Sequence, residues 1–251
     1  MLICPICKSK LVKAESRYKC ENNHSFDISK KGYTNLLINH PNAGDSKEMV
    51  LARYNFLEKG YYQELKDEIK RIINKYDIKT LADLGCGTGY YSSNLDIEVY
   101  GFDISKEAIN KASGNKSNHY YVASSQNVPF SSEALDAALI VFAPLFIDEI
   151  CRILKPNGYL ILVTPSIYHL YELKTKLYDN PYLNEEKKQS IDCLKEVEAK
   201  NLKYQKFINK DDLLNLIKMT PYFYKTDSLS FDKIKKDELI TLDFNIQVYK
   251  K

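Results

Sequence analysis

Asp83-Leu84-Gly85-Cys86-Gly87-Thr88-Gly89 decides the fold. The apolar run before it, from Thr80, reads as a short strand, and the stretch after it opens as a helix. Glycines let a chain turn sharply and let a ligand come close to the backbone. Ligands of open parallel sheets gather at the carboxyl ends of the strands, which is where this loop falls. The next strand, EVYGFDIS, ends in Asp103, fourteen residues after Gly89. A carboxylate there can accept hydrogen bonds from both ribose hydroxyls of an adenosine. Two cofactors compete for this pattern. A dinucleotide site needs G-x-G-x-x-G with a pyrophosphate on the helix N-terminus. Here the spacing is G-x-G-x-G, and Asp83 in front of it would repel a pyrophosphate. It suits the cationic amino-acid end of S-adenosylmethionine, which carries an ammonium and a sulfonium.

Working outward, helices and strands alternate. YYQELKDEIKRIINKY places Leu65, Ile69, Ile72 and Ile73 on one helical face. SKEAINKAS reads as a helix capped by Ser105. NHYYVASS, ALDAALIVFAP and GYLILVTP read as the third, fourth and fifth strands. Such alternation predicts a doubly wound, mostly parallel α/β sheet. Ala123-Ser124-Ser125 falls where these folds meet an adenine edge. Leu154-Lys155-Pro156-Asn157-Gly158-Tyr159 reads as the turn into the fifth strand. Over residues 61–165 the chain resembles the class I (Rossmann-like) methyltransferases. Upstream, DSKEMVLARYNFLEKG predicts a helix with Asp45 or Ser46 as N-cap and Gly60 as stop. Downstream, residues 166–251 begin with a tyrosine-rich stretch that reads as a long helix and end in the strand-like ITLDFNIQVYK.

The N-terminus carries different chemistry. Cys4-Pro5-Ile6-Cys7 is followed, after twelve residues, by Cys20 and then His24. Two such pairs on tight turns can supply three thiolates and one imidazole to a closed, tetrahedral structural zinc. A segment under 40 residues buries too little apolar surface to fold unaided, so a metal is expected to supply the missing stability. The net charge of the whole chain is only +3, too weak to imply nucleic-acid binding. Residues 1–40, however, hold seven Lys or Arg against three acids, with Tyr18, Phe26 and Tyr33 interleaved. Such a module could grip RNA through phosphates and stacked bases. No stretch approaches the roughly 18 apolar residues of a membrane span, and MLICPICKSK lacks the apolar core of a signal peptide. A cytoplasmic location and no membrane partner are therefore expected. In that compartment Cys86, Cys151 and Cys193 are expected to be reduced, packed thiols.

The whole chain resembles the bacterial 23S rRNA (guanine-N1)-methyltransferases of the RlmA type. The residues that carry the resemblance are CPIC with Cys20 and His24, HSFDISKKGYTNLL, GDSKEMVLARYNFLEKGYYQEL, DLGCGTGYYS, FDISKEAI, VASSQNVPFS, APLFIDEICRILKPNGYLILVTPSIYHLYELK, MTPYFY and DFNIQVY. The resemblance implies zinc ligands at Cys4, Cys7, Cys20 and His24. It implies cofactor contacts at Tyr62, Gly87, Thr88 and His169, beside the generic Asp83, Gly85, Gly89 and Asp103. Spacing alone would not have selected His169. The implied target is N1 of a guanine in a hairpin loop of 23S rRNA domain II, and the implied assembly is a homodimer. The expected organisation is a zinc module over 1–37, a linker and helix over 38–60, and a methyltransferase domain over 61–251 with an insertion at about 166–210.

Methyl transfer to guanine N1 also requires a proton to leave. Asp148 and Glu149, just past Ala143-Pro144, are candidate bases by position, although an acid pair there equally suits a helix N-terminus. Phe142-Ala143-Pro144-Leu145 stands where enzymes that attack exocyclic amines often carry N/D-P-P-Y/F, which disfavours adenine amino groups. Phe142, Tyr168 and Tyr171 are candidates to stack on an unstacked base. The competing reading is a methyltransferase of a small molecule or another RNA, with a purely structural zinc module.

Overall fold

The computed structural model describes residues 1–38, 44–185, 191–225 and 233–251. Pro41, part of the expected linker, lies outside them. Strands β5 (Thr80–Leu84), β6 (Glu98–Asp103), β7 (His119–Val122), β8 (Leu135–Val141) and β9 (Leu154–Pro165) pair in parallel, in the spatial order β7-β6-β5-β8-β9. The chain runs outward from β5 to β7, then returns to build β8 and β9 on the other side. The loops after β5 and β8 therefore diverge at a topological switch point, where open α/β sheets bind ligands. The short β4 (Thr34–Asn35) adds to β7 in parallel. At the opposite edge, β11 (Glu238–Lys250) is antiparallel to β9, and β10 (Lys195–Ile208) to β11. This is the expected doubly wound sheet with an antiparallel end.

Strand residues alternate between two cores, as the period of two dictates. Leu81, Ala137, Leu139, Ile161 and Val163 face one side, packed with the apolar stripe of α2 (Gln63–Lys75), whose Leu65, Ile69, Ile72 and Ile73 are fully buried. Ala82, Leu84, Ala138, Ile140, Leu160 and Leu162 face the other, packed with Ile150 and Ile153 of α4 (Ile147–Ile153). Helix α1 (Lys47–Leu57) begins at Ser46, whose hydroxyl accepts the Met49 N–H (3.3 Å), and α3 (Lys106–Ala112) begins at Ser105, which accepts that of Ala108 (3.3 Å). Both caps satisfy donors that a helix start leaves unpaired.

Two expectations give way. The predicted long helix after residue 166 is short, α5 (Tyr171–Leu177), and the chain beyond it returns to the sheet as the strand Lys195–Ile208. Its Lys- and Glu-rich sequence suits an edge strand, whose charges discourage pairing with other chains. Cys151 and Cys193, expected as separate thiols, are bonded to one another. The fold brings the residue from α4 and the residue just before β10 to a Cα–Cα distance of 6.5 Å.

The N-terminal segment forms a small antiparallel sheet of β1 (Val12–Ala14), β2 (Arg17–Lys19) and β3 (Ser25–Asp27). It docks on the α4 side of the large sheet. Ile3 N–H donates to the Pro129 carbonyl (2.9 Å), Leu2 bridges to Phe130, and Leu2 and Leu11 share a core with Val128 and Phe130. Among the described residues no helix is long and apolar enough to cross a membrane.

Candidate functional site

The metal cluster is assembled by two turns. Lys8 N–H donates to the Cys4 carbonyl (2.9 Å) and Asn23 N–H to the Cys20 carbonyl (3.1 Å), with Lys8 and Asn23 both left-handed. Asn tolerates that conformation, while Lys adopts it only where the surroundings hold it. The ligand atoms of Cys4, Cys7, Cys20 and His24 lie within 4.8 Å of one another. A tetrahedral zinc with bonds of about 2.3 Å to sulfur and 2.0 Å to nitrogen needs S···S edges of roughly 3.8 Å and S···N edges of roughly 3.5 Å. Cys7 and Cys20 sulfurs are 3.6 Å apart, and His24 Nδ1 lies 3.5 Å from Cys4 Sγ and 3.4 Å from Cys20 Sγ. The four residues fit a zinc ion with Nδ1 as the imidazole ligand.

The second site lies at the switch point. Gly85 turns with positive φ so tightly against the β8 loop that a Cβ on it would stand 2.5 Å from that of Ala143. Gly87 differs. Its φ is also positive, but a Cβ on it would clash with nothing among the described residues and would rest in ordinary contact with the Arg53 side chain at 3.7 Å. A side chain there would fill a cradle beside the loop. The Gly87 N–H donates to Asp103 Oδ2 (2.9 Å), and Asp103 Oδ1 accepts the Ser105 N–H (2.7 Å), so the acid is aimed by the loop it serves. Burial raises the Asp103 carboxyl above its ordinary range, and those two N–H groups oppose the rise. Asp83 is buried, accepts the Ser92 hydroxyl (2.6 Å) and is pushed up to about 7, by burial first, with the neighbouring Asp103 adding to it. Two carboxylates converging in a dry place form a cation-seeking site. That is the fit expected for the ammonium and sulfonium end of S-adenosylmethionine. Thr88 and Gly89 continue the loop. Beside Asp103, Ile104 is an exposed apolar side chain, and the Ala123 N–H donates to the Asp103 carbonyl (3.0 Å), so the half-buried Ser124 and Ser125 just beyond β7 follow at the same end of the sheet. Ile104 offers a flat base a face that the sequence reading overlooked, although an isoleucine inside a polar turn was a usable signal.

Tyr62 and His169, 107 residues apart, meet beside Phe142 at the end of β8: Tyr62 Oη lies 3.4 Å from His169 Nε2. His169 Nδ1 accepts the Asp243 N–H (3.2 Å), so the imidazole proton resides on Nε2 and is donated to Tyr62. Burial holds the His169 pKa down to about 3 and Tyr62 well above the ordinary phenol range, so both are neutral at physiological pH. Neither offers a free proton acceptor, since both imidazole nitrogens are engaged and the phenol stays protonated. Their rings and Phe244 pack under Phe142, whose ring lies 5.9 Å from His169, stacked at 28°. Phe142 has a φ of 56°, uncommon for a bulky residue, and is 41% exposed. That strain turns an aromatic face to solvent beside the glycine loop. Tyr168 is also exposed but lies under Lys203 (3.9 Å to the ring centre). Of the candidate bases, Glu149 accepts the Val128 N–H and pairs with Arg152 (2.7 Å), which ties the β7–β8 connection to α4. Asp148 is exposed.

The family model described as "RlmA, N-terminal", a zinc ribbon, matches residues 2–41, and a methyltransferase-domain model matches residues 76–218. A protein of Bacillus subtilis (strain 168) named "Putative 23S rRNA (guanine-N(1)-)-methyltransferase YxjB" is 31% identical over 99% of this chain and 96% of its own length. The "23S rRNA (guanine(748)-N(1))-methyltransferase" of Streptomyces fradiae is 34% identical over 68% of this chain and 66% of its own. Among solved structures, one from Bacillus halodurans described as a "putative methyltransferase" superposes with a TM-score of 0.50 at 13% identity. It covers 74% of this chain and 99% of its own, a likeness of fold alone.

Proposed function

We propose the reaction that kinship and geometry carry together: the chain belongs to the 23S rRNA (guanine-N1)-methyltransferase family, and it transfers the methyl group of S-adenosylmethionine to N1 of a guanine in 23S rRNA. The observation that carries this reading is the pairing, in one chain, of the zinc ribbon with the two-acid glycine loop.

The cofactor supplies the reactive methyl group, and the chain supplies position. Asp83 faces the ammonium end, Asp103 the ribose, and the backbone of Gly85, Gly87, Thr88 and Gly89 lines the approach. Tyr62 and His169 lie below as a neutral, hydrogen-bonded floor. Phe142 offers its exposed face to a guanine lifted from its stack. The zinc module over 1–37, with its local positive charge, holds the RNA against the domain over 61–251. The finer placing follows the family resemblance: a hairpin loop of domain II, a homodimer that shares the RNA, and a cytoplasmic location.

Asp103→Ala should weaken S-adenosylmethionine binding by about 1–3 kcal/mol through lost charge-assisted hydrogen bonds. Calorimetry reads this directly, and unchanged affinity would remove Asp103 from the site. The substrate is tested by primer extension on 23S rRNA from cells with and without the gene. A stop at one guanine, present only with the enzyme, is the expected result. Identical stops in both strains, with methyl transfer to a small acceptor instead, would overturn the RNA assignment.

A further inference from the structure

The segment in front of α1 is strapped to the turn that follows β6. The Ser105 hydroxyl, two residues past Asp103, donates to the Asp45 carbonyl (2.9 Å), and a Cβ on Gly44 would stand 2.7 Å from that of Ser105. From this strap α1 carries Arg53 over the open side of Gly87. Its Cδ and Nη1 each lie 3.7 Å from where a Gly87 Cβ would be. The guanidinium is half-buried. It donates to the Asp45 carboxylate and, through Nη2, to the Met219 carbonyl (3.2 Å). It also acts on Asp103, opposing the rise that burial imposes.

The charges in the cradle do not match the cofactor without this residue. S-adenosylmethionine carries an α-carboxylate as well as two cationic centres. Asp83 and Asp103 suit the cations and would repel the carboxylate, which therefore needs a cation on the loop's open side. A guanidinium is the group whose planar fork matches a carboxylate in two parallel hydrogen bonds. In the free chain Asp45 provides a carboxylate to that fork.

We infer that Arg53 binds the α-carboxylate of S-adenosylmethionine, and that Asp45 is the internal carboxylate it exchanges for it. The inference rests on the cofactor reading above. It makes α1 and its strap part of the cofactor site rather than a linker, and it gives the run from Gly44 to Arg53 a chemical reason.

The test compares S-adenosylmethionine with its decarboxylated analogue, which keeps adenosine, sulfonium and amine but lacks the carboxylate. Both are titrated calorimetrically into the zinc-loaded full chain. The wild type should bind S-adenosylmethionine about tenfold or more tightly than the analogue. Arg53→Ala should lose that preference, weakening the natural cofactor about tenfold while leaving the analogue within about twofold. Arg53→Lys, which keeps the charge without the fork, should fall between and covers the case in which the alanine variant does not fold. Asp45→Asn, which frees the guanidinium from its internal partner, should tighten the natural cofactor several-fold and leave the analogue unchanged. Equal affinity of the wild type for both compounds, or a proportional loss of both in the Arg53 variants, overturns the inference and leaves the cofactor reading standing. Failure of the wild type to take up either compound overturns both.

Discussion

Asp83→Asn should make the cofactor-free protein more stable at pH 8 and leave it unable to hold S-adenosylmethionine. Asp83 is 2% exposed, and its carboxyl is pushed up to about 7. In the unfolded chain the group titrates near 3.9. The folded state therefore holds the proton more tightly than the unfolded state, and stability falls as pH rises between those two values. At about 1.4 kcal/mol per unit, the ionised carboxylate costs the free protein on the order of 4 kcal/mol above pH 7. Asparagine keeps an oxygen for the Ser92 hydroxyl and never ionises, so it escapes that cost. Urea unfolding at pH 4 and pH 8 reads the effect: variant and wild type should be close at pH 4, with the variant ahead by a few kcal/mol at pH 8. The cofactor reverses the ranking because its ammonium favours the ionised acid. Wild-type affinity should rise with pH through about 7 as the carboxyl ionises, and Asp83→Asn should bind at least about thirtyfold more weakly. Equal stability of the two proteins at pH 8 would show that the carboxylate is at ease without the cofactor.

This pairing of cost and function explains which features could be read from sequence. The glycine loop, the two acids, the five parallel strands and the zinc ligands each have a local signature: a spacing, a period or a paired turn. Asp103 is legible because a strand must end where it stands. The charged β10 was not, because a Lys- and Glu-rich edge strand carries the composition of an exposed helix and is settled only by pairing with β11. The Cys151–Cys193 bond joins residues 42 apart through the way α4 lies against the end of the sheet, which no spacing encodes. Ser92 on Asp83, Arg53 over Gly87 and the Tyr62–His169 contact are likewise products of tertiary packing. The family context pointed to Tyr62 and His169 as cofactor contacts. It could not say that the imidazole is neutral and donates from Nε2, which requires the Asp243 N–H on its other nitrogen.

Removing zinc should separate the two sites. The N-terminal sheet has strands of three residues, β1 is exposed along its length, and the buried Leu2, Cys4, Leu11 and Cys20 share a core with Val128 and Phe130 rather than closing around a centre of their own. Four ligands from two distant turns are what hold the chain in that shape, and structural zinc supplies binding free energy of order 10–16 kcal/mol in such modules. Chelation, or Cys20→Ser, should therefore release the metal and unfold the three-stranded sheet with its ligand turns, residues 1–27, seen as rapid proteolysis of that segment and loss of about one zinc per chain. Methylation of 23S rRNA should fall at least about a hundredfold, since the displaced module carries the local positive charge that would meet the RNA backbone. Cofactor affinity should change by no more than about threefold. Asp83, Asp103 and Gly87 are set by β5, β6 and the loop between them, and Arg53 by α1, none of which depends on the zinc turns. The docking contact at Pro129 lies on the connection beyond β7, close enough to the adenine side to account for a small loss but not a large one. If cofactor affinity fell in step with RNA methylation, the ribbon would be a structural wall of the cofactor pocket, and its role in gripping RNA would have to be abandoned.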